Sequence, residues 1–416
     1  MEDAFKIAII GAGSSYTPEI IERLAARIDR LPVTEIAMVD IDEGRLAVMA
    51  AFCQRFMQHL GYEIPMTTTN QRASALEGAR FVLSQIRVGG NAQRVFDEKI
   101  PLKYGIIGQE TTGPGGMMKA MRTLPVMVAI ANDVIRYCPD AWIINYTNPT
   151  GMVAEAVTRC TPARIAGLCS GGLFPRDAAC RILGVAPESV QYDYFGLNHL
   201  NFAYNFTVNG RPLTSDEFDK LAELGPVDTD LVRLLHLFPS PYLQYYFHRQ
   251  RKISEAQHKI LSRGEEVQIL EREIFSAYSR SDQVTKPDAL ARRGGGGYSE
   301  VALGVMEAVY NNTPARMIIN VPNQGVVNFL PDDAVIETNC LVDASGIHPL
   351  ALPEIPHAVW GLVAAVKNYE QLAVTAAITH SKEKALQALL AHPLVGDYDI
   401  AKSLLDDLWV ANQEFL

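Results

Sequence analysis

The 416-residue chain carries 47 acidic against 37 basic residues, a formal charge of −10, and 48 % of it is hydrophobic. That balance argues against nucleic acid and anionic membranes as partners, and no apolar run approaches the length of a membrane-spanning helix. The length implies more than one domain; six cysteines without paired spacing and an N-terminus without a signal-peptide pattern lead us to expect a cytoplasmic protein with free thiols (Cys53, Cys138, Cys160, Cys169, Cys180, Cys340).

The chain opens on an apolar run, Phe5-Lys6-Ile7-Ala8-Ile9-Ile10, followed at once by Gly11-Ala12-Gly13-Ser14-Ser15-Tyr16-Thr17-Pro18-Glu19. This reads as a buried strand, a glycine turn and a helix start, the first unit of a dinucleotide-binding domain. Gly11 allows the tight turn, and Gly13 lets backbone amides approach a pyrophosphate at the helix N-terminus. Ser14, Ser15, Tyr16 and Thr17 continue the same loop, with Thr17 the expected N-cap and Pro18 the first helical residue. Tyr16 stands where the usual fingerprint has its third glycine, and a G-x-G after a strand also occurs in ordinary strand-to-helix turns.

Glu35-Ile36-Ala37-Met38-Val39-Asp40 reads as a second strand ending in an acid, 29 positions after Gly11. An acid there suits the adenosine ribose hydroxyls. Asp42 and Glu43 follow, with no arginine before Arg45, which favours NAD over NADP; a solvated turn acid is the alternative. Helical stretches Gly44 to Leu60 and Met117 to Cys138 alternate with strand-like runs from Arg80 to Val88 and Ala141 to Tyr146, arguing for a doubly wound parallel sheet. Between them, Gly105 to Gly116 combines glycines with Gln109, Glu110, Thr111 and Thr112 and reads as a functional loop of no single chemistry.

Ile165 to Gly172 reads as a short strand with Cys169 at a glycine-rich turn, and Gly196-Leu197-Asn198-His199-Leu200 offers an imidazole. Each alone suits a structural role; together they could supply sulfur and nitrogen to a divalent metal with positions left open. Phe202 to Leu213 alternates around Asn209-Gly210 as a hairpin. Residues 214 to 285 read as mainly helical, strands follow at Arg316 to Val321 and Ala334 to Cys340, and the chain is helical from Pro353 onward. The fold class expected is α/β: a Rossmann-type domain over residues 1–195, then a mixed α+β substrate and metal domain over 196–416, in a lactate/malate dehydrogenase-like architecture with a cleft between them.

Five segments occur in order: Gly11 to Glu19, Ile107 to Gly113, Asn145-Tyr146-Thr147-Asn148-Pro149, Gly196 to His199, and Arg293-Gly294-Gly295. The series resembles glycoside hydrolase family 4, the NAD- and metal-dependent 6-phosphoglycosidases, and most of all its 6-phospho-β-glucosidase branch. The resemblance covers essentially the whole chain. The family departs from two-carboxylate glycoside hydrolysis. The resemblance implies that NAD oxidises the sugar C3 hydroxyl, a base takes the acidified C2 proton, the aglycone leaves C1, water adds, and the hydride returns. It also implies that Cys169 and His199 hold the metal, Mn²⁺ or another divalent ion. Tyr242 matches the base, with Tyr246 and Tyr298 as rivals. Arg94 matches a 6-phosphate contact, and Glu110, Asn148 and Arg293 match positions near sugar or metal. The implied partner is a small glycoside, possibly 6-phosphorylated, and the implied assembly a homodimer or homotetramer.

Two departures touch the substrate pocket. Cys169 is followed by Ser170-Gly171-Gly172 where the branch usually has Asn-x-Pro, and Gly294-Gly295-Gly296-Gly297-Tyr298-Ser299 has glycine in place of one aromatic. Both enlarge the pocket and admit a glycoside that is unphosphorylated or otherwise modified. A 2-hydroxy-acid-type dehydrogenase would use His199 as acid/base but leave Cys169 unexplained. A non-catalytic NAD sensor would not need Cys169, His199, Tyr242 and Arg94 together.

Overall fold

A computed structural model describes residues 4–294 and 296–416. Its main sheet contains β1 (Phe5–Ile10), β2 (Val33–Val39), β3 (Met66–Thr69), β4 (Ala79–Ser84), β5 (Trp142–Asn145) and β6 (Arg164–Gly167). Their spatial order is 3-2-1-4-5-6 and all are parallel, the Rossmann arrangement. The central strands β1, β4 and β5 are mostly apolar on both faces because helices cover both, whereas the edge strand β3 is Met66 and three threonines, two of them exposed. Ile7 and Ile9 point to one core, with Phe52 and Leu303, while Ala8 and Ile10 point to the other, with Met121 and Leu124.

β7 (Val190–Leu197), β8 (Leu200–Val208), β9 (Arg211–Pro212) and β10 (Phe238–Pro239) make a separate antiparallel sheet. Asn209 and Gly210, both at positive φ, turn β8 into β9 as the sequence predicts. The chain then returns to the first sheet. β11 (Ala315–Pro322), β12 (Val335–Asp343) and β13 (Gly346–Pro349) extend it antiparallel beyond β6, so one nine-stranded sheet is shared by both halves of the sequence. Side chains of β12 hold the small sheet: the Tyr194 amide donates to Asn339 Oδ1 (2.7 Å) and Thr338 Oγ1 donates to the Tyr194 carbonyl (3.0 Å).

Two helix starts differ from expectation. The first helix is Thr17–Ala25 with Tyr16 at its N-cap; Thr17 does not cap it, because its hydroxyl donates to the Ala12 carbonyl (2.8 Å) and is buried. The helix expected from Met117 begins at Gly113, so the glycines read as loop are its first turn. A helix at Gly90–Leu102, which the sequence did not announce, packs against Arg263–Tyr278. Among the described residues no helix is long and apolar enough to cross a membrane.

Three charges are buried together beneath the sheet. Lys367 on the helix Trp360–Thr379 contacts Glu370 of the same helix and Glu155 Oε2 (2.8 Å) of the helix Thr150–Cys160. Glu155 also accepts the Val335 amide of β12 (3.1 Å), so the cluster joins two helices and a strand.

Candidate active site

A cavity of about 1250 Å³ opens at the C-terminal ends of β1, β2, β4 and β5, where doubly wound sheets bind ligands. Gly11 turns the chain out of β1 at φ +84°, and a Cβ there would lie 2.9 Å from the Gln85 backbone. The Asp40 carboxylate accepts the Gly13 amide at 2.8 Å, which ties the end of β2 to the glycine turn. Gly11, Gly13, Ser14, Ser15, Tyr16 and Asp40 all line the cavity; Thr17 faces the protein interior. Apolar Ile41, Val126 and Ile130 also line the cavity, which the glycine turn and the acid bound to it border together.

The loop is stiffened by a residue the sequence reading did not single out. Glu271 accepts Ser15 Oγ (2.6 Å) and pairs with Arg45 (2.8 Å) and Arg293. Arg45 therefore reaches the glycine turn, where its Nε donates to the Gly13 carbonyl (3.2 Å), yet Glu271 offsets its charge. Arg293 lies over the Tyr16 ring, 4.7 Å from its centroid. Of the glycine series that follows Arg293, Gly295 lies outside the described residues; Gly297 donates its amide to Glu19 (2.8 Å).

The far end of the cavity is charged. Glu110 is gripped by Arg87 (2.6 Å), Lys119 (3.0 Å) and Arg94 (3.2 Å), and Arg94 also donates from Nε to Glu98 (2.7 Å). Burial alone would raise the Glu110 carboxyl, but the three cations outweigh it and hold it well below the usual carboxylate range. Burial, reinforced by Arg87, pushes the Lys119 ammonium down to about 7. Asn148 and Tyr298 line the same cavity. Neither Lys119 nor Arg87 carried a sequence signal: each is a lone cation in a helix or after a strand, and only the fold turns both toward Glu110.

Cys169 and His199 are buried behind this wall. His199 occupies the turn between β7 and β8 at φ +66°, and the Tyr242 ring lies flat on its imidazole, with centroids 3.7 Å apart and planes 6° apart. Burial pushes the imidazole down to about 3, so it is neutral at physiological pH. Cys169 follows β6 and accepts the Gly171 amide at 3.4 Å; burial and the Glu337 charge push its thiol up to about 12. Glu337, fully buried in β12, accepts amide donors from Asn201 and Asn320 and braces the turn that carries His199. Its only sequence trace is a carboxylate inside an otherwise strand-like run.

Among the described residues no three His, Cys, Asp or Glu side chains converge as a closed metal cage. A sulfur and an imidazole nitrogen nonetheless make a sound partial donor set, and His199 Nε2 takes no hydrogen bond from the described protein. Of the tyrosines considered as base, Tyr242 lies on the cavity wall against His199. Tyr298 also lines the cavity, whereas Tyr246 is turned to His392 (3.3 Å) and does not.

Close backbone contact fixes the Gln109-bearing loop on the helix Gly90–Leu102. A Cβ on Gly108 would sit 1.7 Å from the Glu98 carbonyl oxygen. Gly108→Ala is therefore expected to lose about 3 kcal/mol of stability, the upper end for overpacking, because backbone cannot give as a side chain can. Urea denaturation measures this; a midpoint unchanged from wild type would show that the loop is not held as described.

Residues 6–182 match the family model described as Family 4 glycosyl hydrolase, and residues 194–395 match that of the Family 4 glycosyl hydrolase C-terminal domain. The chain is similar to a probable 6-phospho-beta-glucosidase of Bacillus subtilis (strain 168), at 36 % identity over 100 % of this chain and 98 % of the relative. Its fold is similar to the 6-phospho-beta glucosidase of Thermotoga maritima solved with manganese, NAD+ and glucose-6-phosphate. There the TM-score is 0.93 and the identity 34 %, over 99 % of both chains. A 6-phospho-alpha-glucosidase from gut microorganisms, solved with NAD and glucose-6-phosphate, matches at TM-score 0.92 and 31 % identity, over 100 % of this chain and 99 % of that one.

Proposed function

The chain belongs to family 4 of the glycosyl hydrolases, and on that premise we propose that it is an NAD- and divalent-metal-dependent glycosidase of the 6-phospho-β-glucosidase type. One observation carries the reading: Tyr242 is stacked on His199 in the wall of the cavity whose other end is the glycine turn. When bound, NAD supplies a reversible hydride acceptor for the sugar C3 hydroxyl, and a divalent ion held by Cys169 and His199 supplies the charge that acidifies the neighbouring C2–H.

The chain's own residues do the rest. Gly11, Gly13 and the first-helix N-terminus seat the pyrophosphate, and Asp40 has lone pairs left for the ribose hydroxyls. Tyr242 takes the C2 proton, after which the C1–O bond breaks and the aglycone departs. Glu110, fixed by three cations, and Asn148 orient sugar hydroxyls. Two edges of the Arg94 guanidinium are engaged by Glu98 and Glu110, which leaves Nη2 to meet a 6-phosphate oxygen. The β-anomer is supported by the greater identity to 6-phospho-beta-glucosidases.

A second reading, the same chemistry on an unphosphorylated glycoside, is favoured by that pairing of Arg94 with two carboxylates. Ser170-Gly171-Gly172 gives it no support, since the segment is a short 3-10 helix that does not line the cavity and packs Gly172 against Ile318. Hydrolysis of p-nitrophenyl β-glucoside 6-phosphate, its unphosphorylated twin and the α-anomer, each with and without NAD⁺ and Mn²⁺, separates the readings. Nitrophenol release from the phosphorylated β-substrate, only with both cofactors and without NADH accumulation, is the expected result. Preference for the twin supports the second reading, and steady NADH accumulation overturns both.

A further inference from the structure

The Gln109-Glu110-Thr111 loop sits against His199 with a hydrogen-bond pattern that leaves little freedom. Thr111 Oγ1 lies 2.6 Å from His199 Nδ1, and both groups are buried. Thr111 Oγ1 also lies 2.9 Å from Gln109 Oε1, and the Thr111 backbone amide lies 2.6 Å from that same atom. A backbone N–H can only donate, so the Gln109 atom it meets is the carbonyl oxygen and not the amide nitrogen. That oxygen can only accept. The single Thr111 hydroxyl proton must therefore go to Gln109, since otherwise two bare oxygens would face each other at hydrogen-bond distance. With its proton so placed, Thr111 Oγ1 meets His199 as an acceptor, and the imidazole must carry its proton on Nδ1.

We propose that Gln109 and Thr111 are positioning residues that lock His199 in the Nδ1–H tautomer, so that Nε2 presents a bare lone pair to a divalent cation. The part of this inference that concerns the cation rests on the metal-dependent reading above; the tautomer does not. The two constraints on the ring are complementary. Tyr242, parallel to it at 3.7 Å, fixes the plane of the imidazole, and Thr111 fixes its rotation within that plane and the place of its proton. Such a partner on the other ring nitrogen typically changes metal affinity 10–100-fold when removed.

The structure also holds a control. His392 is equally buried and neutral, but its Nδ1 accepts the Leu394 amide (3.2 Å) and its Nε2 faces the Tyr246 hydroxyl (3.3 Å). The same reasoning assigns His392 the opposite, Nε2–H tautomer.

The test is long-range ¹H–¹⁵N correlation on histidine-¹⁵N-labelled, metal-free full-length enzyme, with His199 and His392 identified from H199N and H392N spectra. Wild type should show His199 protonated at Nδ1 and His392 at Nε2. Thr111→Val should move His199 toward the other tautomer, leave the His392 signals in place, and weaken Mn²⁺ binding about 10–100-fold, read as free Mn²⁺ by electron paramagnetic resonance. Thr111→Ser should restore both properties. A wild-type His199 protonated at Nε2 overturns the proposal, as does a Thr111→Val enzyme with unchanged tautomer. If Thr111→Val fails to fold, Gln109→Leu, which leaves the threonine hydroxyl without its acceptor, takes its place under the same criteria, and the wild-type spectrum already decides the tautomer. Wild-type enzyme that binds no Mn²⁺ overturns the metal reading of the site, while the spectrum independently supports or overturns the tautomer.

Discussion

Tyr242→Phe is expected to lower kcat by about 10²–10⁴-fold, the usual contribution of a positioned general base, while Mn²⁺ and NAD⁺ affinities stay within threefold of wild type. Phenylalanine keeps the ring that lies on His199 and removes only the hydroxyl, so the change isolates proton transfer from packing. In the protein without metal, burial pushes the Tyr242 phenol well above its ordinary value, with the Cys169 and Glu110 charges acting in the same direction. Even an unperturbed tyrosine needs about 4 kcal/mol to be ionised at pH 7. Tyr242 can therefore serve as base only with positive charge beside it, from Arg94 or from a cation at the neighbouring Cys169–His199 pair. The measurement is deuterium entry at C2 of the sugar during turnover in D₂O, alongside kcat. Wild type should incorporate solvent deuterium and Tyr242→Phe should lose incorporation and turnover together. Tyr246→Phe, with its hydroxyl turned to His392, should retain both. Full C2 exchange in Tyr242→Phe would move the base to Tyr298.

The second large effect is on stability. Lys367→Met is expected to lose about 3–5 kcal/mol at pH 7, because it strands the Glu370 carboxylate in the interior with no counter-charge and leaves Glu155 only the partly exposed Arg159, 3.7 Å away. That is a substantial fraction of the 5–15 kcal/mol typical of a whole fold. The sign with pH follows from the same physics. Burial raises the folded value of the Glu370 carboxyl above its unfolded one, and loss of the Lys367 charge removes what opposes that rise, so the penalty is greatest above neutral pH and shrinks as pH falls and Glu370 protonates. Urea midpoints at pH 5.5 and pH 8 should therefore converge on wild type at the lower pH. Replacing all three residues with Gln, Met and Gln should recover most of the loss, since a buried ion cluster is weakly stabilising as a whole. A Lys367→Met midpoint equal to wild type at pH 8 would mean the carboxylates find other partners.

The parallel half of the fold was legible because local and tertiary demands agree there. Ile7 to Ile10 is apolar on both faces, as a strand covered by helices must be, and Gly11 and Gly13 follow where the turn requires them. The glycines at 113, 115 and 116 misled for a physical reason. The small size of Gly115 and Gly116 serves close packing, with a Cβ on Gly115 only 2.4 Å from the Gln109 carbonyl, while Gly113 supplies a left-handed backbone, φ +62°, at the helix start. Thr17 misled likewise, since a threonine before proline suits a cap, but Gln85 and the Ala12 carbonyl claim its hydroxyl. At the site, the sequence order of motifs brought out Tyr242, Glu110, Cys169 and His199. It could not bring out Glu271, Lys119 or Glu337, whose partners lie on other elements, at Arg45, Glu110 and Asn201. Ion pairs and hydrogen bonds between separate elements leave no spacing to read.

The nine-stranded sheet also dictates an order of events at the ribosome. β6 is finished early, but β11, which covers its outer edge, is synthesised about 150 residues later. At roughly 5–20 residues per second, the nascent Rossmann half waits on the order of 10–30 seconds with that edge bare. An unpaired strand edge beside an apolar face invites association with neighbouring nascent chains. A fragment stopped near residue 195 would carry the same defect permanently, so the first half of this protein is a poor candidate for independent expression.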